Sequence, residues 1–313
     1  MSGGTEAGAA GERTPGRPVA SRGRLGRGLT SAARFLVAGV VEGSGPSAGV
    51  ALHVALRIAC AMCFIGHGAW GVITKAGWLP FYGVFGIPNA VAWKTMPIVG
   101  TVDILLGVAV LLFPFRAVLV YMVGWTVFTA LLRPAAGMGW WEFFERGGNY
   151  GPPLALYLLA RDQGRGWFTY VAPSDPSDAA LRRVSWVLRA SIALLLIGHG
   201  GFALVQEKPL LLQHWRSVGV RGDALFLHVV GALEIAAGVA AFAGPVRPLL
   251  IAIAYWKIGT ELLYAISGRL RDGWEWVERG GDYLAPFALL LALALMAHAA
   301  ARPRPLSAVA VAS

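Results

Sequence analysis

Apolar runs recur along this chain at roughly 54–74, 96–113, 117–133, 147–160, 186–205, 225–243, 247–266 and 282–300. Most approach the ~20 residues a helix needs to cross a bilayer. In hydrocarbon a backbone must satisfy its own hydrogen bonds, so runs of this length are read as helices. Composition agrees: 56% of the 313 residues are hydrophobic and 14% charged, against roughly 25% charged in soluble domains. The expectation is an all-α, polytopic membrane bundle of about eight transmembrane helices. The fourth run is the shortest, because Arg161-Asp162-Gln163-Gly164-Arg165 stops it.

The eight runs fall into two sets of four. Gly66-His67-Gly68 returns as Gly198-His199-Gly200, an offset of 132 (199 minus 67). Arg57 is echoed by Arg189, Asp103 by Glu234, Pro114 by Pro245, Arg116 by Arg247 and Trp125 by Trp256. The ERGG turn at Glu145-Arg146-Gly147-Gly148 recurs at Glu278-Arg279-Gly280-Gly281. Four crossings is an even number, so the two repeats enter the membrane with the same orientation, unlike the inverted repeats of many transporters. The predicted organisation is a disordered basic tail over 1–50, repeat one over 51–160, a linker over 161–185, repeat two over 186–300 and a short tail over 301–313.

Basic residues give the sidedness. Tail, linker and the loops level with them hold sixteen arginines, and the opposite loops hold ten lysines and arginines. The excess predicts cytoplasmic termini and an inner-membrane location. The formal charge of +10 is therefore accounted for without nucleic acid, since basic flanks are usual beside membrane segments.

With sides assigned, position converts to depth. His67 lies about seven residues below the outer surface, or ~10 Å at 1.5 Å per residue. Asp103 falls at the same level, and His199 and Glu234 repeat the arrangement. Glu261 belongs to this layer, with Thr129 read as its counterpart. Above it come Glu142, Glu145, Arg146 and Asn149, then Glu275, Glu278, Arg279 and Asp282. An ionised carboxylate in hydrocarbon must pair, neutralise or meet water. A histidine opposite it shares a proton near neutral pH. The reading makes His67, Asp103, His199 and Glu234 the proton-handling residues and assigns the ERGG-turn residues and Glu261 to the mouth of a binding site. The amphipathic segments 77–88 and 211–218 read as interfacial lids.

Cys60, Cys63 and His67 share one helix stripe, but repeat two has Ile192 and Leu195 in place of the cysteines. They are read as small packing residues. A haem held between His67 and His199 is the minor alternative. No zinc-ligand spacing is present.

The residues Gly66-His67-Gly68 with Lys75 after them, the pattern Val102-Asp103-Ile104-Leu105-Leu106-Gly107 with its echo from Leu233, and the turn Pro114-Phe115-Arg116 together resemble the DoxX family. Members are four-helix bacterial membrane proteins, so the chain looks like a fused pair. A related DoxD subunit belongs to a thiosulfate:quinone oxidoreductase, and the resemblance therefore implies quinone as ligand and a redox partner subunit. The leading reading is a quinone-interacting subunit of a membrane oxidoreductase. The alternatives are a small-solute or proton-coupled transporter and a non-catalytic scaffold.

Overall fold

The computed structural model describes residues 46–161, 163, 166–268 and 273–301. Most of the predicted N-terminal tail and nearly all of the C-terminal tail lie outside them. The first half contains α1 (Pro46–Val72), a 3₁₀ turn (Ala76–Trp78), α2 (Leu79–Gly83), α3 (Asn89–Leu112), α4 (Arg116–Ala135), α5 (Trp141–Glu145) and α6 (Gly147–Ala160). The second contains α7 (Asp178–Leu204), α8 (Pro209–Ser217), α9 (Ala224–Ala243), α10 (Arg247–Ser267), α11 (Gly273–Glu278) and α12 (Gly280–Ala301).

Seven helical segments among the described residues are long and apolar enough to cross a membrane, where eight were expected. The exception is α6, whose 14 residues span only ~21 Å at 1.5 Å per residue, against a hydrocarbon core of ~30 Å. Its second-half counterpart α12 has 22 residues, because no charge cluster interrupts it. Helix α7 begins well before the expected residue 186 and takes up the end of the linker. The start is fixed by Ser177, whose Oγ accepts the Ala180 N–H at 3.1 Å and so satisfies one of the first-turn donors.

Helices α1 and α7 form the centre. Each packs along the second span of its own half, α3 and α9 respectively. The fourth segments cross over: α12 and α11 lie on α1, while α6 and α5 lie on α7. The reciprocity is that of a two-fold relation between the halves.

This crossing explains the Gly-His-Gly motif. A Cβ on Gly66 would sit 2.2 Å from the Glu278 nitrogen, and one on Gly198 would sit 2.2 Å from the Glu145 nitrogen. A Cβ on Gly68 would be 2.5 Å from the Gly100 carbonyl oxygen, and one on Gly200 2.5 Å from that of Gly231. In each tripeptide the first glycine admits the ERGG turn of the opposite half and the second admits the neighbouring span, as small residues do in membrane helix packing.

The repeated arginines are structural. Arg57 Nε donates to the Val110 carbonyl at 3.2 Å, and Arg189 Nε donates to the Phe242 carbonyl at 2.7 Å. They satisfy carbonyls at the C-terminal ends of α3 and α9 that lack an intrahelical partner. Cys60 and Cys63 are buried and unbonded within the apolar core, beside residues such as Leu56 and Phe64.

The outward faces of α3, α4, α9 and α10 expose Ile98, Leu105, Leu131, Leu225, Leu233 and Tyr255. Apolar exposure on this scale marks a membrane- or partner-facing surface, and in a chain of this hydropathy lipid covers it. Helices α3 and α4 scarcely touch one another, nor do α9 and α10. Each half is thus left with a lateral cleft.

Candidate functional site

The two ERGG turns meet between the halves and exchange partners. Arg146 Nη1 donates to Glu278 Oε1 at 2.6 Å, and Arg279 Nη1 donates reciprocally to Glu145 Oε1. Lys75 Nζ reaches Glu275 Oε2 at 2.7 Å, and Lys208 Nζ reaches Glu142 Oε1. The two lysines stand eight and nine residues after their histidines, and despite that slip they make equivalent cross-half pairs. Each of these four pairs joins one repeat to the other. Burial alone would raise the Glu145 carboxyl, but Arg146 and Arg279 hold it well below the usual carboxylate range. Gly148 and Gly281 let the turns approach on the axis, where a Cβ on Gly281 would sit 1.8 Å from the Gly148 carbonyl oxygen.

In the first half, His67 Nδ1 and Asp103 Oδ2 are 2.7 Å apart. Asp103 is buried, and its Oδ1 has no hydrogen-bond partner. Trp78, delivered by the turn after α1, stacks on the imidazole with ring centroids 4.4 Å apart. Of the pair, His67 lines the lateral cleft between α3 and α4, with Asp103 buried behind it. That cleft is a cavity of about 190 Å³ lined by His67, Phe81, Tyr82, Trp125, Phe128 and Arg133, among others. Phe85 and Phe128 at its edge are 56% and 40% exposed, so the cleft opens sideways rather than into the bundle. Arg133 ties its Nη1 to the Thr129 carbonyl at 2.8 Å and lies 3.8 Å from Glu142.

The second half departs from this plan. His199 does not pair with Glu234. Its Nε2 lies 3.5 Å from Glu261 Oε1 and 3.6 Å from Glu145 Oε1, without a hydrogen bond of its own. Glu234 instead accepts a hydrogen bond from Trp256 Nε1 at 2.8 Å. Two extra charges explain the change of partner: Lys257 and Glu261, one helical turn apart, form a fully buried ion pair. In the register that aligns Trp125 with Trp256, Lys257 stands opposite Thr126 and Glu261 opposite Ala130, while Thr129 matches Thr260. The expected match of Glu261 to Thr129 is thus one residue off.

His67 and His199 line different cavities, an arrangement unsuited to a haem held between them. Glu145, His199 and Asp282 offer ligand atoms within 4.8 Å of one another, a grouping that sequence spacing did not reveal. The Arg279 guanidinium already supplies the cation there, pairing with Glu145 and standing 3.8 Å from Asp282. Asn149, the first-half counterpart of Asp282, is buried in α6 at the same junction.

Above the second half an outer cavity of about 550 Å³ is lined by Lys75, Glu142, Lys208, His214, Glu275 and Arg279, among others. The layer as a whole brings eight carboxylates (Asp103, Glu142, Glu145, Glu234, Glu261, Glu275, Glu278, Asp282) together with six cations (Lys75, Arg133, Arg146, Lys208, Lys257, Arg279). The chemistry available to this arrangement is proton exchange at two non-equivalent histidines.

No known protein family, curated protein or solved structure matches this chain.

Proposed function

We propose that this membrane protein binds a quinone or quinol headgroup in the cleft between α3 and α4 and exchanges a proton with it through His67 and Asp103. The observation that carries the reading is the 2.7 Å His67–Asp103 pair at the head of an aromatic cleft that opens sideways between two spans. A quinol ring is flat, apolar on its faces and polar at its two oxygens. Trp125 and Phe128 suit the faces, while His67 and Arg133 suit the oxygens. Asp103 stabilises the protonated imidazole, so His67 can accept a hydroxyl proton. The isoprenoid tail would leave through the gap and lie in lipid.

Quinol oxidation releases two electrons and two protons. The electrons go to a partner redox subunit, and the protons leave on the side of the ERGG turns, taken as the outer face of an inner membrane; cytoplasmic termini at both ends require that α6, although only 14 residues long, brings the chain back across. This reading treats the chain as two fused DoxX-like units.

The test is direct. A naphthoquinone analogue raises the thermal unfolding temperature of the purified protein, and His67→Gln and Asp103→Asn abolish that rise while leaving the protein folded. Absence of copurifying quinone together with an unmoved unfolding temperature would sink the reading.

A further inference from the structure

Three cavities lie in series, the first lined by both halves and the other two by the second half alone. The outer one, about 550 Å³, shares Leu211, His214 and Tyr264 with a small one of about 40 Å³. That small cavity shares Val230, Glu234 and Trp256 with a lateral cleft of about 260 Å³ between α9 and α10. A volume of ~10–15 Å³ is enough for one water, so the middle cavity has room for a water or two. Its wall carries His199, whose Nε2 makes no hydrogen bond at 7% exposure, and Glu261, fully buried and ion-paired with Lys257 and Arg279. A buried ring nitrogen of this kind ordinarily finds a partner, either protein or ordered water.

We propose that the second half carries a second binding site, a lipid-facing cleft at Glu234 for a lipid-soluble molecule with an ionisable ring hydroxyl, connected through the small cavity to the outer cavity by a proton path. The ligand class rests on the reading of the first half; the path does not. The ligand's hydroxyl donates its proton to the Glu234 carboxylate, whose other oxygen is held toward Trp256 by the indole N–H. The proton passes by water to His199, which lies between Glu261 and Glu145, and leaves past His214 and Tyr264 to the outer cavity.

The charged groups near His199 come from both halves. From α10 come Glu261 and Lys257, which pair with each other. From α5 comes Glu145, and from the turn between α11 and α12 Arg279, which pair across the halves. Asp282 from α12, 3.8 Å from Arg279, adds a carboxylate that has no hydrogen bond. Glu145 and Glu261 are the carboxylates that the structure places beside the ring, and each is itself paired with a cation. The first half differs among the described residues: its position equivalent to Tyr264 is Arg133, and Trp78 stacks on the His67 imidazole.

Two measurements on the full-length protein in proteoliposomes test this. Photolabelling with an azido-naphthoquinone, followed by peptide mapping, reports each cleft separately. We expect label on the Trp125 segment and on the Trp256 segment, with Glu234→Gln lowering the second at least fivefold and sparing the first. Label at Trp125 alone overturns the second site and leaves the first-half reading standing. Label at Trp256 alone does the reverse, and label at neither removes both. For the path, Thr260→Cys is made in a chain with Cys60→Ala and Cys63→Ala and exposed to Ag⁺ from the ERGG side. It should react at least tenfold faster than Leu250→Cys, which sits in the closed core. Equal rates overturn the proton path.

Discussion

The two halves match where they touch each other and differ where each meets lipid. At their junction the correspondence is close: Arg146 with Glu278 mirrors Arg279 with Glu145, and Gly66 over Glu278 mirrors Gly198 over Glu145. In the clefts it fails. His67 is bonded to Asp103 beneath a stacked tryptophan, whereas His199 stands unbonded among carboxylates and Glu234 answers to Trp256. The junction constrains both copies at once, because a change in either repeat is felt across the axis. The clefts are free to diverge. The difference teaches that the duplication is kept by packing and that chemistry has to be sought where the repeats disagree.

The largest effects should come from the junction. Removing one partner of a buried ion pair leaves an uncompensated charge, at a cost of about 3–5 kcal/mol. Arg279→Met and Arg146→Met are both expected in this range by thermal unfolding in detergent. Arg279→Met should be the worse, since Arg279 faces Glu145, Glu261, Glu275 and Asp282, while Arg146 faces Glu145, Glu275 and Glu278. Adding Glu145→Gln to Arg279→Met should recover part of the loss by removing a stranded charge. Equal costs with no recovery would mean that the exchanged pairs do not hold the halves together.

Next come the glycines. Gly66→Ala and Gly198→Ala each push a methyl against backbone, which cannot swing aside, and overpacking of this kind costs about 1–3 kcal/mol. The two losses should agree, because the two clashes do. Gly124→Ala is the control, since nothing lies near its Cβ; there alanine should stabilise by about 0.5–1 kcal/mol. A clear inequality between Gly66→Ala and Gly198→Ala would break the symmetry claimed for the junction.

Much of this was legible in the sequence, for physical reasons. Apolar length marks spans because hydrocarbon imposes it, and an internal repeat that preserves polar residues marks a shared contact. Hence the helices, the motif glycines and the level of the His67–Asp103 pair could be read without coordinates. The exchange of fourth segments could not. Nothing in the residues themselves says whether Glu145 turns toward Arg146 alone or toward Arg279 of the other repeat as well, because helix pairing is decided by three-dimensional fit. His199 and Glu234 were assigned to each other by analogy with His67 and Asp103. The signal against it was present in Lys257 and Glu261, two charges one turn apart in a repeat whose partner has Thr126 and Ala130. Aligning the tryptophans rather than the histidines would have exposed it.

A smaller effect separates the clefts themselves. Asp103→Asn removes a charge-assisted hydrogen bond from His67 and leaves buried polar atoms poorly matched, a loss of about 1.5–3 kcal/mol. Glu234→Gln keeps an acceptor for Trp256 Nε1 and should cost less than about 1 kcal/mol. If the two substitutions cost the same, the carboxylates are playing one structural part in both halves and the contrast drawn between the clefts fails.

The smallest effect lies at His214, on α8 outside the spans. Burial, reinforced by Arg279, lowers its imidazole below the usual histidine range. The ring sits against Tyr264 with centroids 4.3 Å apart, at the neck between the outer and small cavities, and the first-half lid over 77–88 carries no histidine. A histidine depressed in the folded state binds fewer protons than in the unfolded chain, so stability rises with pH across the interval between the two values. His214 therefore contributes its full stabilisation above about pH 6.5, the unperturbed value, and loses it as the pH falls from there through its folded value. His214→Phe should flatten that part of the pH–stability profile, measured by thermal unfolding, without moving the profile above neutrality. Because the group belongs to the second half alone, a Trp78→Phe substitution in the first-half lid should leave the slope intact. A slope that survives His214→Phe would place the mildly acidic sensitivity elsewhere in the layer and remove His214 as the feature that distinguishes the second half's entrance from the first's.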